Sequence, residues 1–344
     1  MYKRQEIHRY GEIRSFDSSL DLKIIENLSL SDNTSDFDFI QIDESSGILS
    51  FIAGKYQLHK TLFIPGKYTV NIEAGFQLDL TNEASIISYA PFISMGTNEN
   101  PVRFISGDNT GGGIFVSSTS VKSIIKHTHF KGLSIPKVDF WELSGSVNFN
   151  EAEVAISHCV FEKNRSEDAL NVIRSSFTLD ESQFIDTYSD AFDGDFVEGS
   201  ISNSTFVNSG NDGIDISGSN LTLSNIVIQN PSDKGLSAGE GSTMTGNGIR
   251  INGGEIGIVS KDLSTITLSN VHIENTRLGI ACFQKKSEFG PGIVNLKKLR
   301  FLGNEVPYLI AENSDLIIDD VVTQDKSEDV IDKMYGNEYG KSSR

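Results

Sequence analysis

Residues 154–230 read VAISHCVFEKNRSEDALNVIRSSFTLDESQFIDTYSDAFDGDFVEGSISNSTFVNSGNDGIDISGSNLTLSNIVIQN, and the spacing of the large apolar residues in this stretch decides the fold. Phe161, Phe184, Phe206 and Ile228 stand 23, 22 and 22 residues apart. Ile251, Ile273 and Phe301 continue the series at 23, 22 and 28 residues, the long last step coinciding with a polar, glycine-containing insertion, QKKSEFGPG, at 284–292. Before each anchor the apolar residues alternate in the strand sense, as in Val154 and Ile156, Phe177 and Leu179, Leu221 and Leu223, and Ile266 and Leu268. A second apolar set follows each anchor at Leu170, Phe192, Ile214, Leu236, Val259, Ala281 and Ile310. A unit of two or three short strands cannot bury its apolar face alone, so parallel stacking of units is required. Helical solenoids would show spacings of three and four within the unit, and these units do not. The prediction is an all-β, right-handed parallel β-helix with coils of about 22 residues.

Outward from this stretch the same pattern extends both ways. Residues 61–80 (TLFIPGKYTVNIEAGFQLDL) read strand, Pro-Gly turn, strand, glycine, strand, and residues 101–116 continue with a glycine-rich corner. The expected organisation is an irregular, acidic N-terminal cap over 1–54, the β-helix over 55–323 and a charged tail over 324–344, whose MYGNEYGK run at 334–341 serves as a short cap or arm. Asn164, Asn208, Asn230 and Asn275 fall just after their anchors, where asparagine tolerates left-handed geometry and can bond to its neighbours along the stack. Trp141, the only tryptophan, is expected to be a packing anchor or loop flap.

The bulk numbers restrict the function. A net charge of −18 repels nucleic acid and anionic lipid and favours neutral or cationic ligands. No run of 18 apolar residues exists, so no transmembrane span is expected. Cys159 and Cys282 are too few and too distant for a disulfide framework or zinc site and read as core residues. His127 and His129 are both capable metal ligands, but two histidines at i and i+2 on a strand are expected on a solvent face. The first residues, MYKRQEIHRYGEIRSF, are polar and show no signal peptide. Their opening resembles a translated sequencing-adapter scar, so the true N-terminus, with any export signal, is expected to lie elsewhere.

One pattern exceeds what packing needs. Three consecutive units carry Asp168-Ala-Leu-Asn171, Asp190-Ala-Phe-Asp193 and Asp212-Gly-Ile-Asp215, and the next carry Lys234-Gly-Leu-Ser237 and Gly257-Ile-Val-Ser260. Asp168, Asp190, Asp212 and Lys234 should therefore stack in one column, and Asn171, Asp193, Asp215, Ser237 and Ser260 in a second. Asp195 lies two places beyond Asp193, and Asp262 takes the equivalent offset in a later coil, near Lys261 and Glu240. Coils are about 4.8 Å apart, and two carboxylates at that distance repel by roughly 3.5 kcal/mol at an effective dielectric near 20. A bound cation, a carboxyl kept protonated, or an ammonium must compensate. The structural alternative is that these aspartates cap turn amides.

Registered in this way, the chain resembles the pectate-lyase-like superfamily of right-handed β-helices over roughly residues 55–323, and more narrowly the phrases SEDALNV (166–172), SDAFDGDF (189–196), NDGIDISGS (211–219) and DKGLSAGEGS (233–242) resemble a group of bacterial β-helix proteins without a settled activity. The resemblance implies a polysaccharide partner lying across one face of several coils, and an extracellular or cell-surface location. It implies a lyase, glycosidase or epimerase chemistry. NDGID is similar to the first element of polygalacturonase-like hydrolases, but the Gly-His-Gly that should follow is missing. Calcium is the cofactor the resemblance implies, with Asp190, Asp193, Asp195, Asp212 and Asp215 as the metal ligands by chemistry. Asp190, Asp193, Asp212, Asp215, Lys234 and Lys261 are the candidate catalytic residues, Lys261 being the expected base and Lys234 a charge-stabilising group. Asp168, Asn171, Glu240 and Asp262 are candidate substrate-binding residues. The leading expectation is a polysaccharide lyase or glycoside hydrolase. Its rival is a non-catalytic surface β-helix. A groove lined by aspartate, lysine and aromatics would favour the first, and acidic side chains folded back onto turn amides the second.

Overall fold

A computed structural model describes residues 31–138 and 141–340. The adapter-like opening and the first 30 residues of the expected cap lie outside the described residues, as does the side chain of Trp141, whose backbone pairs with Val138 in a two-residue ribbon. The chain winds into a parallel β-solenoid of about 12 turns with about 22 residues per turn. One face is an 11-stranded parallel sheet running from Leu62–Ile64 to Val306–Ile310, and the remaining faces form a second, 21-stranded sheet.

The anchors set the register. Phe161, Phe184, Phe206, Ile228, Ile251, Ile273 and Phe301 are successive partners across the parallel ladder. Inside the coil the rings of Phe130, Phe161, Phe184 and Phe206 stack with centroids 4.9, 4.5 and 4.8 Å apart, near the coil repeat. The small residue in each Asp-(Ala/Gly) phrase also has a packing cause. A Cβ on Gly213 would lie 2.8 Å from the Gly235 carbonyl oxygen and 3.0 Å from the anchor side chain of Ile228. Cys159 and Cys282 are buried core residues, as their spacing implied.

The second apolar set needs correction at its far end. Leu236 pairs with Ile258 and Ile258 with Ile280, not with Val259 and Ala281, and Ile280 pairs with Tyr308 rather than Ile310. The cause is a shorter corner. Gln229 and Asn252 are register partners, as are Lys234 and Ile256, so the turn between them loses one residue in the later coil. Val259 and Ala281 therefore point outward. They remain buried because the C-terminal helix, Val330–Tyr335, folds back over them, with Val330 and Met334 against Ile256, Val259, Leu278, Ala281 and Phe283.

In the asparagine ladder, Asn208, Asn230 and Asn275 stand two residues after their anchors, where the backbone is left-handed with φ of 56°, 51° and 57°, whereas in the intervening coil Gly253 takes that position and Asn252 precedes it. Asn230 Nδ2 donates to Asn208 Oδ1 at 3.2 Å, and Asn275 Nδ2 to Asn252 Oδ1 at 2.8 Å. Asn164 is not a rung. Lys163 takes that position, and Asn164, one residue later, is buried and bonds Ser146 Oγ. A second ladder, unforeseen from sequence, joins Asn225 to Asn203 at 3.1 Å and Asn270 to Asn247 at 2.7 Å. Because Asn230 supplies both left-handed tolerance and one ladder bond, Asn230→Ala is expected to cost about 1 kcal/mol in urea denaturation. An unchanged midpoint would show the ladder to be passive.

The ends also differ from expectation. Parallel pairing starts at Ile48–Phe51, which joins Thr69–Ile72, so the solenoid begins inside the segment expected to be irregular. An antiparallel strand, Ile40–Asp43, covers that first edge. His127 stacks on His158 with ring centroids 4.6 Å apart, and His129 Nε2 lies 3.0 Å from Glu162 Oε2, so both are engaged on the surface. No helix among the described residues is long and apolar enough to cross a membrane.

Candidate active site

The acidic columns stand on the outward face of the 11-stranded sheet. Asp168 is the register partner of Asp190, and Asn171 of Asp193, which in turn pairs with Asp215 and then Ser237. The first column continues through amide bonds: the Asp212 N–H donates to Asp190 Oδ1 at 2.8 Å, and the Lys234 N–H to Asp212 Oδ1 at 3.0 Å. Both columns are therefore aligned along the solenoid axis. The second ends differently from the expectation, since Ser237 pairs with Val259 and Ser260 faces inward beside Ala238. The same one-residue slip carries Asp262 out of the Asp195 row, where Lys261 stands instead. Asp262 is fully buried at a left-handed corner, and its Oδ1 accepts the N–H groups of Lys285 and Lys286 at 2.6 and 2.7 Å. It anchors the 284–292 insertion and does not line the cleft described below.

Of the expected residues, Asp190, Asp212, Asp215, Lys234 and Lys261 meet in one cleft of about 450 Å³. Glu167, Asn211, Asp233, Lys285, Met334, Tyr335 and Tyr339 also line it and escaped the sequence reading. Asp233 precedes a singled-out lysine and was legible in principle. The tail residues carry no repeat offset, so nothing in the periodicity pointed to them. Asp168, Asn171, Asp193, Asp195 and Glu240 do not line the cleft. Asn171 Nδ2 bridges Asp168 Oδ2 at 3.1 Å and Asp193 Oδ2 at 2.9 Å, and Glu240 is paired with Lys286.

Two ammonium groups supply most of the compensation. Lys234 Nζ lies 3.2 Å from both Asp212 oxygens and 2.6 Å from Asp233 Oδ2. Lys261 Nζ donates to Ser237 Oγ at 2.9 Å and lies 3.9 Å from Asp215 Oδ1. Burial works to depress both lysines, but the carboxylates around them prevail and hold each above its ordinary value. This raised value favours the protonated form of Lys261 and runs against its expected role as a base. Asp190 is held well above the carboxylate range by burial and then by Asp212, Asp215 and Asp168. Burial likewise pushes Asp212 up to about 6 against the pull of Lys234. Asp215 is the most open of the three, with 24% of its side chain exposed, yet its Oδ1 is buried without a hydrogen bond.

Asp190, Asp212 and Asp215 each bring an oxygen within 4.8 Å of the others, while Asp193 and Asp195 stand outside this group. Calcium takes six to eight oxygen ligands. Three carboxylates, one already bridged by Lys234 and one accepting from the Asn211 side chain and the Asp212 N–H, fit the lysine pair better than a resident calcium ion.

The buried acids also set a pH dependence. Burial pushes Asp168 up to about 7 and Asp212 to about 6, and raises Asp193 as well as Asp190. In the unfolded chain carboxyls ionise near 4, so that state sheds protons first as pH rises. The stability these groups contribute is complete below about pH 4 and lost as pH climbs through 6 to 7. The melting temperature is expected to be higher at about pH 5 than at pH 8. A rise over that interval would contradict the burial argument.

Residues 168–321 match the family described as right handed beta helix region. The fold of this chain is a right-handed parallel β-helix. No curated protein matches it by sequence. Among solved structures it is similar to the periplasmic alginate epimerase AlgG, with 12% identity, a TM-score of 0.51, and coverage of 81% of this chain and 78% of that one. It is similar also to the catalytic domain of a GH87 alpha-1,3-glucanase in complex with nigerose, with 13% identity, a TM-score of 0.38 and coverage of 80% of this chain; the β-helix spans 64% of that chain's length. Tailspike protein 2 of Escherichia coli O157:H7 bacteriophage CAB120 gives 14% identity and a TM-score of 0.42, with coverage of 80% of this chain and 44% of that one. At these identities the likeness is one of fold.

Proposed function

We propose that this β-helix protein is a glycoside hydrolase acting on an exported polysaccharide outside the cytoplasm. The observation that carries the reading is the cleft trio of Asp190, Asp212 and Asp215, whose oxygens lie within 4.8 Å of one another and of which burial raises Asp190 well above the carboxylate range and Asp212 to about 6. Asp190, kept neutral by burial and by its acidic neighbours, is placed to protonate a leaving-group oxygen. Asp215 sits beside the Lys261 ammonium, presents the most open carboxylate and serves as base or nucleophile. Asp212, straddled by Lys234, fixes the spacing between them. A lyase needs a base for the sugar-ring proton, and both lysines are held protonated, which favours hydrolysis over elimination. The periplasmic epimerase of similar fold has a sugar polymer as its substrate, which supports the substrate class and the compartment.

A second reading has its own observation. Asp190 and Asp212 each accept the backbone N–H of the next coil, as turn-capping aspartates would, so the patch would be a register device in a glycan-binding or spacer protein. The purified protein incubated with diverse acidic and neutral glycans separates the two. New reducing ends without absorbance from unsaturated uronates support hydrolysis. Unsaturated products would replace it with a lyase, and no product from any glycan would leave the register reading.

A further inference from the structure

The outward face of the 11-stranded sheet is not an open trough. On the side of Lys234 and Lys261 the C-terminal arm stands across it, and Met334, Tyr335, Tyr339 and Gly340 form the wall of the cleft. This wall is fixed to the coils. Val330, Met334 and Tyr339 are buried in the cluster beneath the arm, the Arg277 guanidinium lies 5.2 Å from the Tyr339 ring centre, and Arg277 Nη1 donates to the Glu338 carbonyl at 3.1 Å. A polymer running along the columns from Asp168 would meet this wall and end there.

The cations at the closed end differ in one respect. Lys234 is matched by Asp212 and Asp233, Lys261 by Asp215, and Lys286 by Glu240. Lys285 lines the cleft with its Nζ 4.4 Å from the centre of the Tyr335 ring, and among the described residues no carboxylate stands within ion-pair distance of it. Its backbone is held in place by Asp262 through the 2.6 Å bond to its N–H. Burial, then the nearby Lys261 and Lys286, depresses its ammonium, as expected of a cation short of a counter-ion.

We infer that the cleft is a chain-end pocket in which Lys285, backed by Tyr335, receives the carboxylate of the terminal sugar of an acidic polysaccharide. The Lys285 ammonium supplies the missing charge match, the Tyr335 ring gives the sugar an apolar wall, and the arm denies passage to a longer chain. The inference rests on the proposed function for its glycan ligand, but binding tests it without turnover.

Uronate trimers (galacturonate, glucuronate and mannuronate) and their carboxyl-reduced counterparts provide the probes, titrated calorimetrically into the full chain. At least one acidic trimer is expected to bind about tenfold or more tightly than its reduced form, as one matched charge warrants. Lys285→Met should abolish that preference, and Lys285→Arg should keep it. Stoichiometry should stay at one protein per chain as the oligomer lengthens. Equal affinity for both forms, a preference that survives Lys285→Met, several proteins per long chain, or no binding by any trimer would each overturn the inference. Binding through Lys285 without cleavage would keep it and discard the hydrolase, whereas cleavage of neutral glycans alone would do the reverse.

Discussion

Asp190→Asn is expected to lower glycan turnover by about 10²- to 10⁴-fold, the usual contribution of a positioned acid, with little change in stability. The side-chain amide keeps an oxygen for the Asp212 N–H and for the Asn211 side chain, so the capping role survives. Because the native carboxyl is already neutral in its buried setting, the substitution removes a proton source without removing a charge. Asp215→Asn should lower turnover as severely, since it takes away the carboxylate beside Lys261. On the proposed function, the pH profile of the wild-type protein should fall on its alkaline side as Asp190 ionises, and that limb should vanish from whatever activity the Asp190 variant retains. Wild-type rates in both variants would reduce the columns to scaffolding.

Lys234→Met is expected to cost about 3–5 kcal/mol at pH 8, the range for breaking a buried ion pair from one side. Its ammonium is the common partner of Asp212 and Asp233, whose side chains are 2% and 7% exposed. Methionine fills most of the volume, so the loss is electrostatic rather than a cavity. Without Lys234 the pKa of Asp212 rises further above its present value near 6, and the folded state recovers stability by taking up protons. The deficit should therefore shrink at pH 5. A variant equally destabilised at both values would place the cause in packing. The same variant tests the calcium question. Millimolar calcium and chelator should leave the wild-type melting temperature unmoved, because two ammonium groups already balance the trio, whereas calcium should stabilise Lys234→Met by taking the vacated place among three hard oxygen donors. A chelator-sensitive wild type would restore calcium as the native compensation.

The phenylalanine and isoleucine anchors specified the fold by themselves. A parallel coil must place equivalent apolar residues in contact with one another, so a constant spacing in sequence becomes a column in space, from Phe161 through Phe301. The acidic columns were legible for the same reason, because Asp168, Asp190, Asp212 and Lys234 keep a fixed offset from those anchors. Where an offset changed, the reading failed: one residue fewer at the corner before Ile256 moved Val259 into the Ser237 column and Lys261 into the row assigned to Asp262. A deletion within a turn leaves no mark on the spacing of the apolar residues that follow. Only the tertiary structure decided which acids stand together. Burial and coil-to-coil amide bonds divide chemically identical aspartates into a trio at a cleft and others bound to Asn171 or to the insertion's backbone. It alone brought Tyr335 and Tyr339 beside that trio, because the C-terminal arm docks through the outward apolar patch of Val259, Ala281 and Phe283, and a contact between a tail and coils so distant in the chain follows from surface complementarity, which no periodicity encodes.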